Sequence, residues 1–219
     1  MPAIAQDRSA VLAQLKAHLQ QVAPMRVAAP RLATGLPALD ARTAGWPRPG
    51  LALIQGAAGS GRLGVVLPAL GRLSRSGRSV AIVDPVGWLH PPGLVGVVLE
   101  RLLLVRPGTG RAVWAAEQLA RCGGVPLVVL LDPPPLRSGG RRLLHAAEAG
   151  DSTVVVVSEA PQQGLPASLS LQSTHPGEVW VRRGGRGGRT GPVRLDGPGG
   201  HGAPLSVSAP EGSRTPSDG

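Results

Sequence analysis

Residues 55–63 read QGAAGSGRL, and the way this stretch is read decides the fold. Gly56 and Gly61 have four residues between them, the glycine frame of a loop whose backbone N–H groups cradle phosphate. An active loop of this kind ends in Lys followed by Ser or Thr. The ammonium reaches the β and γ oxygens, and the hydroxyl ligates Mg²⁺. Here those two places hold Arg62 and Leu63. Arg62 keeps a positive charge, but a planar guanidinium is not a compact ammonium, and Leu63 offers a metal nothing. The backbone half of the site is therefore present, in Gly56, Gly59 and Gly61, and the side-chain half is not. Two readings stay open: a loop kept for a strand-to-helix turn, or one that holds ATP without turning it over. Efficient hydrolysis is not expected from either.

The flanks supply the context that such a loop needs. LALIQG reads as a short strand running into it, and LGVVLPALGRLSRSG as a helix leaving it. Pro68 inside that helix predicts a kink or a shortened first half. Beyond it the texture repeats. RSVAIVD (78–84), RLLLVRP, PLVVLLD (126–132) and STVVVVSE (152–159) are strand-like apolar runs. Between them GLVGVVLE reads as a short helix, and GRAVWAAEQLARCGG (110–124) and GGRRLLHAAEAG as longer ones. Continuous apolar strands interleaved with helices are buried on both faces, which predicts an α/β fold with a parallel, doubly wound sheet. After residue 165, PASLSLQ, GEVWVRR and TGPVRLD alternate and are joined by glycine-rich turns, predicting a terminal antiparallel hairpin. At the other end, Val11, Leu12, Leu15, Leu19 and Val22 share one face of a predicted amphipathic helix within residues 7–22. The expected organisation is an N-terminal helix and linker (1–31), a core domain (32–196) and a disordered Gly/Pro/Ser-rich tail (197–219).

Composition bounds the rest. The 219 residues include neither Phe nor Tyr, so Leu, Val and Ala must fill the core, with four Trp as the aromatics. The net charge of +10 is carried almost wholly by arginine, because Lys16 is the sole lysine. Such a balance suits a polyanionic neighbour, nucleic acid or an acidic protein face, and equally follows from codon bias. Cys122 has no internal partner, which is consistent with a reducing compartment. With no signal pattern and no apolar run of about 18 residues, a soluble intracellular protein is expected. The five histidines show no ligand spacing, so no metal is assigned.

Three elements in order carry a family resemblance: TGLPALD (34–40) before the first strand, GAAGSGRL after it, and PLVVLLD, ending in Asp132, further along. Together they resemble the core of RecA-type recombinases. That resemblance implies that Asp132 matches the Asp of the Mg²⁺-associated strand. The catalytic glutamate of the recombinases falls near Val86, so the general base is missing, and Trp88 in the same loop becomes a candidate for covering the pocket. The connections PPPLRSGGRR and APQQGLP are short where recombinases hold long DNA-gripping loops. TGLPALDARTAGWPRPGLALIQG and RAVWAAEQLARCGGVPLVVL are similar to the ImuA branch of RecA-like accessory proteins, sometimes grouped with SulA-like division inhibitors. The branch implies a damage-induced (SOS) role in translesion DNA synthesis, without catalysis. Its implied partners are a RecA-type recombinase and the polymerase-family proteins of a mutagenesis cassette. It also implies a cytoplasmic, nucleoid-associated location. Two alternatives stand beside it: a DNA-dependent P-loop ATPase and a SulA-like inhibitor of cell division.

Two further segments carry candidate contacts. VRRGGRGGRTGPVR (181–194) holds Arg182, Arg183, Arg186, Arg189 and Arg194. Five phosphate contacts there would give a log–log salt slope of roughly −4 to −5; the same stretch also reads as a solvated hairpin turn. Leu12, Leu15 and Leu19 could dock the N-terminal helix on a partner, or pack it onto its own domain.

Overall fold

The computed structural model describes residues 30–195. The predicted N-terminal helix, with Leu12, Leu15 and Leu19, and the predicted tail lie outside the described residues. Two short strands, β1 (Arg31–Leu32) and β2 (Trp46–Pro47), pair antiparallel around helix α1 (Pro37–Thr43). The remaining strands form one eight-stranded sheet. These are β3 (Gly50–Gln55), β4 (Val80–Val83), β5 (Leu102–Val105), β6 (Leu127–Leu131), β7 (Thr153–Ser158), β8 (Leu169–His175), β9 (Glu178–Arg183) and β10 (Gly191–Arg194). Their order is β10-β9-β8-β3-β7-β6-β4-β5. From β8 to β5 every pairing is parallel, and β8, β9 and β10 pair antiparallel. The expected doubly wound sheet with a terminal hairpin is the observed architecture.

Helices cover both faces of the sheet, as a continuously apolar strand requires. On one face α1 and α2 (Leu67–Arg75) bury Leu36, Leu39, Val66 and Leu70 against Ile54, Ile82 and Val155. On the other, α3 (Ala112–Arg121) and α4 (Gly139–Ala149) lay Ala112, Ala116, Leu143 and Ala147 over Leu53, Val128 and Val156. Alanine does the work that aromatics do elsewhere: small side chains let these helices sit close to the sheet. Trp46 is the large exception, fully buried on the first face. No helix among the described residues is long and apolar enough to cross a membrane.

Two local expectations need correcting. GLVGVVLE forms no α-helix; Gly93 ends a 3₁₀ turn (Pro91–Gly93), residues 94–98 have no helical structure, and Leu99–Arg101 makes a second 3₁₀ turn before β5. Gly93 and Gly96 weaken a helix, and the β-branched valines between and after them favour extended backbone. The helix after the glycine loop starts at Leu67, with Pro68 in its first turn, rather than at Leu63. Pro68 has no N–H and is stable only at a helix start, so residues 63–66 of the predicted helix become turn, the shortened first half that Pro68 predicts.

The TGLPALD element has a packing explanation. The Asp40 carboxylate accepts the Thr34 N–H at 2.8 Å, and Thr34 Oγ1 accepts the Leu36 N–H at 3.1 Å. Gly35 has φ +81°, and a Cβ there would stand 2.9 Å from the Cβ of Pro68. The motif braces the entry of α1 against the start of α2, which fixes where the glycine loop ends.

Candidate functional site at the carboxyl ends of the parallel strands

The glycine loop leaves the end of β3 and is pressed against the β8–β9 hairpin. A Cβ on Gly56 would lie 2.6 Å from the carbonyl oxygen of Ser173, and one on Gly61 (φ +82°) 2.9 Å from the Cα of Pro176. Ser173 Oγ donates to the Ser60 carbonyl at 2.6 Å, tying loop and hairpin together. Past Gly61 the chain turns rather than winding into a helix: Val66 and Leu67 both donate their N–H to Leu63 O, at 3.0 and 3.2 Å. The helix N-terminus that makes a phosphate loop an anion site is thus displaced to Leu67, beyond the loop.

Arg62 decides the chemistry of the site. Its guanidinium meets the Asp132 carboxylate as a two-pronged fork, Nη1 to Oδ1 at 2.6 Å and Nη2 to Oδ2 at 2.7 Å. Their side chains are 12% and 32% exposed. Paired forks of this kind are short, charge-assisted and geometrically specific. Asp132 Oδ1 also accepts the Glu159 N–H at 2.9 Å, and the Asp132 N–H donates to Val157 O at 2.8 Å. In a working site the loop cation and the strand-end acid face each other across a nucleotide and its metal. Here they neutralise each other directly. A lysine could give the carboxylate only a point charge; the planar guanidinium of Arg62 is what makes this closed pair.

A second, buried acid near the pair is also engaged. Asp84, buried at the end of β4, accepts the N–H groups of Gly87 and Leu89, both at 2.9 Å, and of Trp88 at 3.3 Å. Arg106 Nε stands 3.7 Å from its other side. Asp84 therefore shapes the loop after β4. Val86, where the recombinase resemblance would put a glutamate, is half exposed. A cleft of about 360 Å³ opens between Asp84, Trp88, Asp132, Pro133 and Glu159. Trp88 forms one wall of this cleft but is 74% exposed, so it rims the opening rather than filling it.

A buried glutamine, unremarked in the sequence, holds the two connections that follow β6 and β7. Gln162 Oε1 accepts the Leu136 N–H at 3.0 Å, while Nε2 donates to Pro133 O at 3.2 Å and to Ser158 Oγ at 3.1 Å. The trace of this in the sequence is a pair of glutamines, Gln162 and Gln163, inside a short connection. The two connections are bonded to each other through the Gln162 side chain.

The five arginines of 181–194 do not form one patch. Arg182 donates to Gln172 Oε1 through Nε at 2.8 Å and lies 5.3 Å from the Trp180 ring centroid. Arg183 reaches the carbonyl of Ala167 at 3.4 Å. Arg194 sits on β10 across from Glu178. Arg186 and Arg189 project from the β9–β10 turn and meet Arg42 of α1. Strand alternation separates these sets: Val179, Val181 and Val193 point into the core beneath α1, so Trp180, Arg182 and Arg194 point the other way.

No family model matches the sequence, and no curated protein resembles it in sequence. Among solved structures the fold is similar to the crystal structure of the RadB recombinase, with a TM-score of 0.59 and 21% identity. The likeness covers 69% of this chain and 89% of that one. The RecA-like recombinase fold is therefore shared.

Proposed function

We propose that this chain is a non-catalytic RecA-like accessory protein of DNA-damage tolerance, acting through protein contacts and not through nucleotide turnover. The observation that carries the reading is the Arg62–Asp132 fork, which occupies with protein charges the place where a recombinase holds phosphate and metal. Three features support it. The loop helix starts late, at Leu67. Val86 stands where a general base is needed. Gln162 ties together the short connections that stand where recombinases hold long DNA-gripping loops. Together they argue for a fold kept as a surface. The resemblance of TGLPALD and RAVWAAEQLARCGG to the ImuA branch narrows the role to SOS-type mutagenesis and translesion synthesis. Its partners on this reading are a RecA-type recombinase and the polymerase-family proteins of the mutagenesis cassette, met in the cytoplasm at the nucleoid.

The test is affinity capture of the tagged chain from damaged cells, with nuclease treatment to exclude DNA bridging. Recovery of recombinase or error-prone polymerase components is the expected result. Recovery of the tubulin-like division protein would overturn the reading in favour of a division inhibitor. Mg²⁺-dependent, DNA-stimulated ATP hydrolysis by the purified chain would overturn it in favour of a motor.

A further inference from the structure

The edge of the sheet at β10 gathers positive charge from two separate elements. Arg42 lies in the last turn of α1, and Arg186 and Arg189 flank the β9–β10 turn. With Ala38, Ala41 and Gly187 they line a shallow concavity of about 500 Å³. No carboxylate lines it, and none of the three arginines forms an ion pair among the described residues. Three like charges facing one another in a concavity repel until an anion enters between them. The guanidinium fork is the donor geometry that matches phosphate oxygens.

We propose that Arg42, Arg186 and Arg189 bind the phosphodiester backbone of duplex DNA. The shape favours a polymer over a small anion: the concavity is shallow and open, and its Arg186 and Arg189 lie in the turn that leads into the edge strand β10. The backbone at Gly187 and Gly188 (φ +63° and +74°) is open, with nothing within 4 Å of where a Cβ would stand. No aromatic side chain lines the site, and Trp180 faces away from it, so there is no platform for unstacked bases. Recognition is therefore through phosphate alone, which makes binding independent of sequence and steep in salt. No large apolar side chain lines it either, so a lipid surface has nothing to take hold of beyond charge. The site uses only part of the arginine-rich stretch and recruits Arg42, far away in sequence. It stands whether or not the partners proposed above are found.

The experiment is fluorescence anisotropy of a labelled random-sequence duplex titrated with the full chain across a series of NaCl concentrations. R42Q/R186Q/R189Q is compared with R182Q/R194Q, which neutralises the opposite face. Each lost phosphate contact makes the slope of log K on log salt shallower by about 0.9. The triple variant should therefore lose about 2.7 from the slope, the single R189Q about 0.9, and the opposite-face variant close to nothing. All three replace arginines outside the hydrophobic clusters, and coincident thermal melts establish that each is folded. An unchanged slope in the triple variant overturns the proposal. So do equal losses in the two multiple variants, or tighter binding of a single strand than of the duplex.

Discussion

Arg62→Gln removes both prongs of the fork that meets Asp132 at 2.6 and 2.7 Å, and its cost can be bracketed from burial. An exposed ion pair contributes about 0.2–1 kcal/mol, and breaking a fully buried one costs about 3–5 kcal/mol. Arg62 is 12% exposed and Asp132 32%, and Asp132 keeps the Glu159 N–H at 2.9 Å when the arginine is gone. The loss should fall between the two limits, about 1.5–2 kcal/mol. Asp132→Asn removes the charge that faces the more buried partner, a guanidinium with no second acid in ion-pair range among the described residues, and should cost about 2–3 kcal/mol. The double variant should cost less than the two singles together, with a coupling energy of about 1–1.5 kcal/mol. Urea denaturation followed by far-ultraviolet circular dichroism measures all three, with unchanged m-values as the check that the transition stays two-state. In a thermal melt the Arg62→Gln loss corresponds to a Tm lower by roughly 3–8 °C for a domain of this size. A loss under about 0.5 kcal/mol, with the double variant additive, would mean that the pair is loosely solvated. The plugged loop would then not follow from the geometry.

Gln162→Ala removes three buried hydrogen bonds and leaves the Leu136 N–H without its acceptor; a loss of about 2–3 kcal/mol is expected. The same variant should be cut faster by protease at 133–138 and 160–166, which limited proteolysis reads directly. Gly56→Ala places a methyl 2.6 Å from the Ser173 carbonyl oxygen and should cost about 2 kcal/mol or more by forcing the loop off the β8–β9 hairpin. Its denaturation midpoint checks this, with Gly59→Ala as the contrast. Gly59 has nothing within 4 Å of the added Cβ, so its loss should come from its φ of +78° alone and be nearer 1 kcal/mol. Asp84→Ala withdraws the acceptor shared by the N–H groups of Gly87, Trp88 and Leu89, and a loss of about 3 kcal/mol in urea is expected, with a shift in Trp88 fluorescence.

The amino-acid sequence by itself determined the class of fold, because that information is local. Val80–Val83, Leu127–Leu131 and Thr153–Ser158 are apolar at nearly every position, and a strand with no polar face must be covered on both sides. The alternation in Glu178–Arg183 marked a strand with one open face in the same way. The presence of Arg62 and Leu63 where a phosphate loop has Lys and Ser or Thr was legible. What Arg62 meets was not. Arg62 and Asp132 lie 70 residues apart, and they meet because the order β3-β7-β6 sets the loop after β3 and the end of β6 within one side chain's reach. Nothing periodic in either segment records that distance. Arg42 joins Arg186 and Arg189, and Arg182 leaves them, for the same kind of reason. Which cations share a surface depends on the pleat of β9 and on where α1 packs, and both are settled by burial of Val179, Val181 and Leu39 in the core they share. Residue types along the chain specify what each segment can bury; only the packed sheet decides which charges are left facing one another.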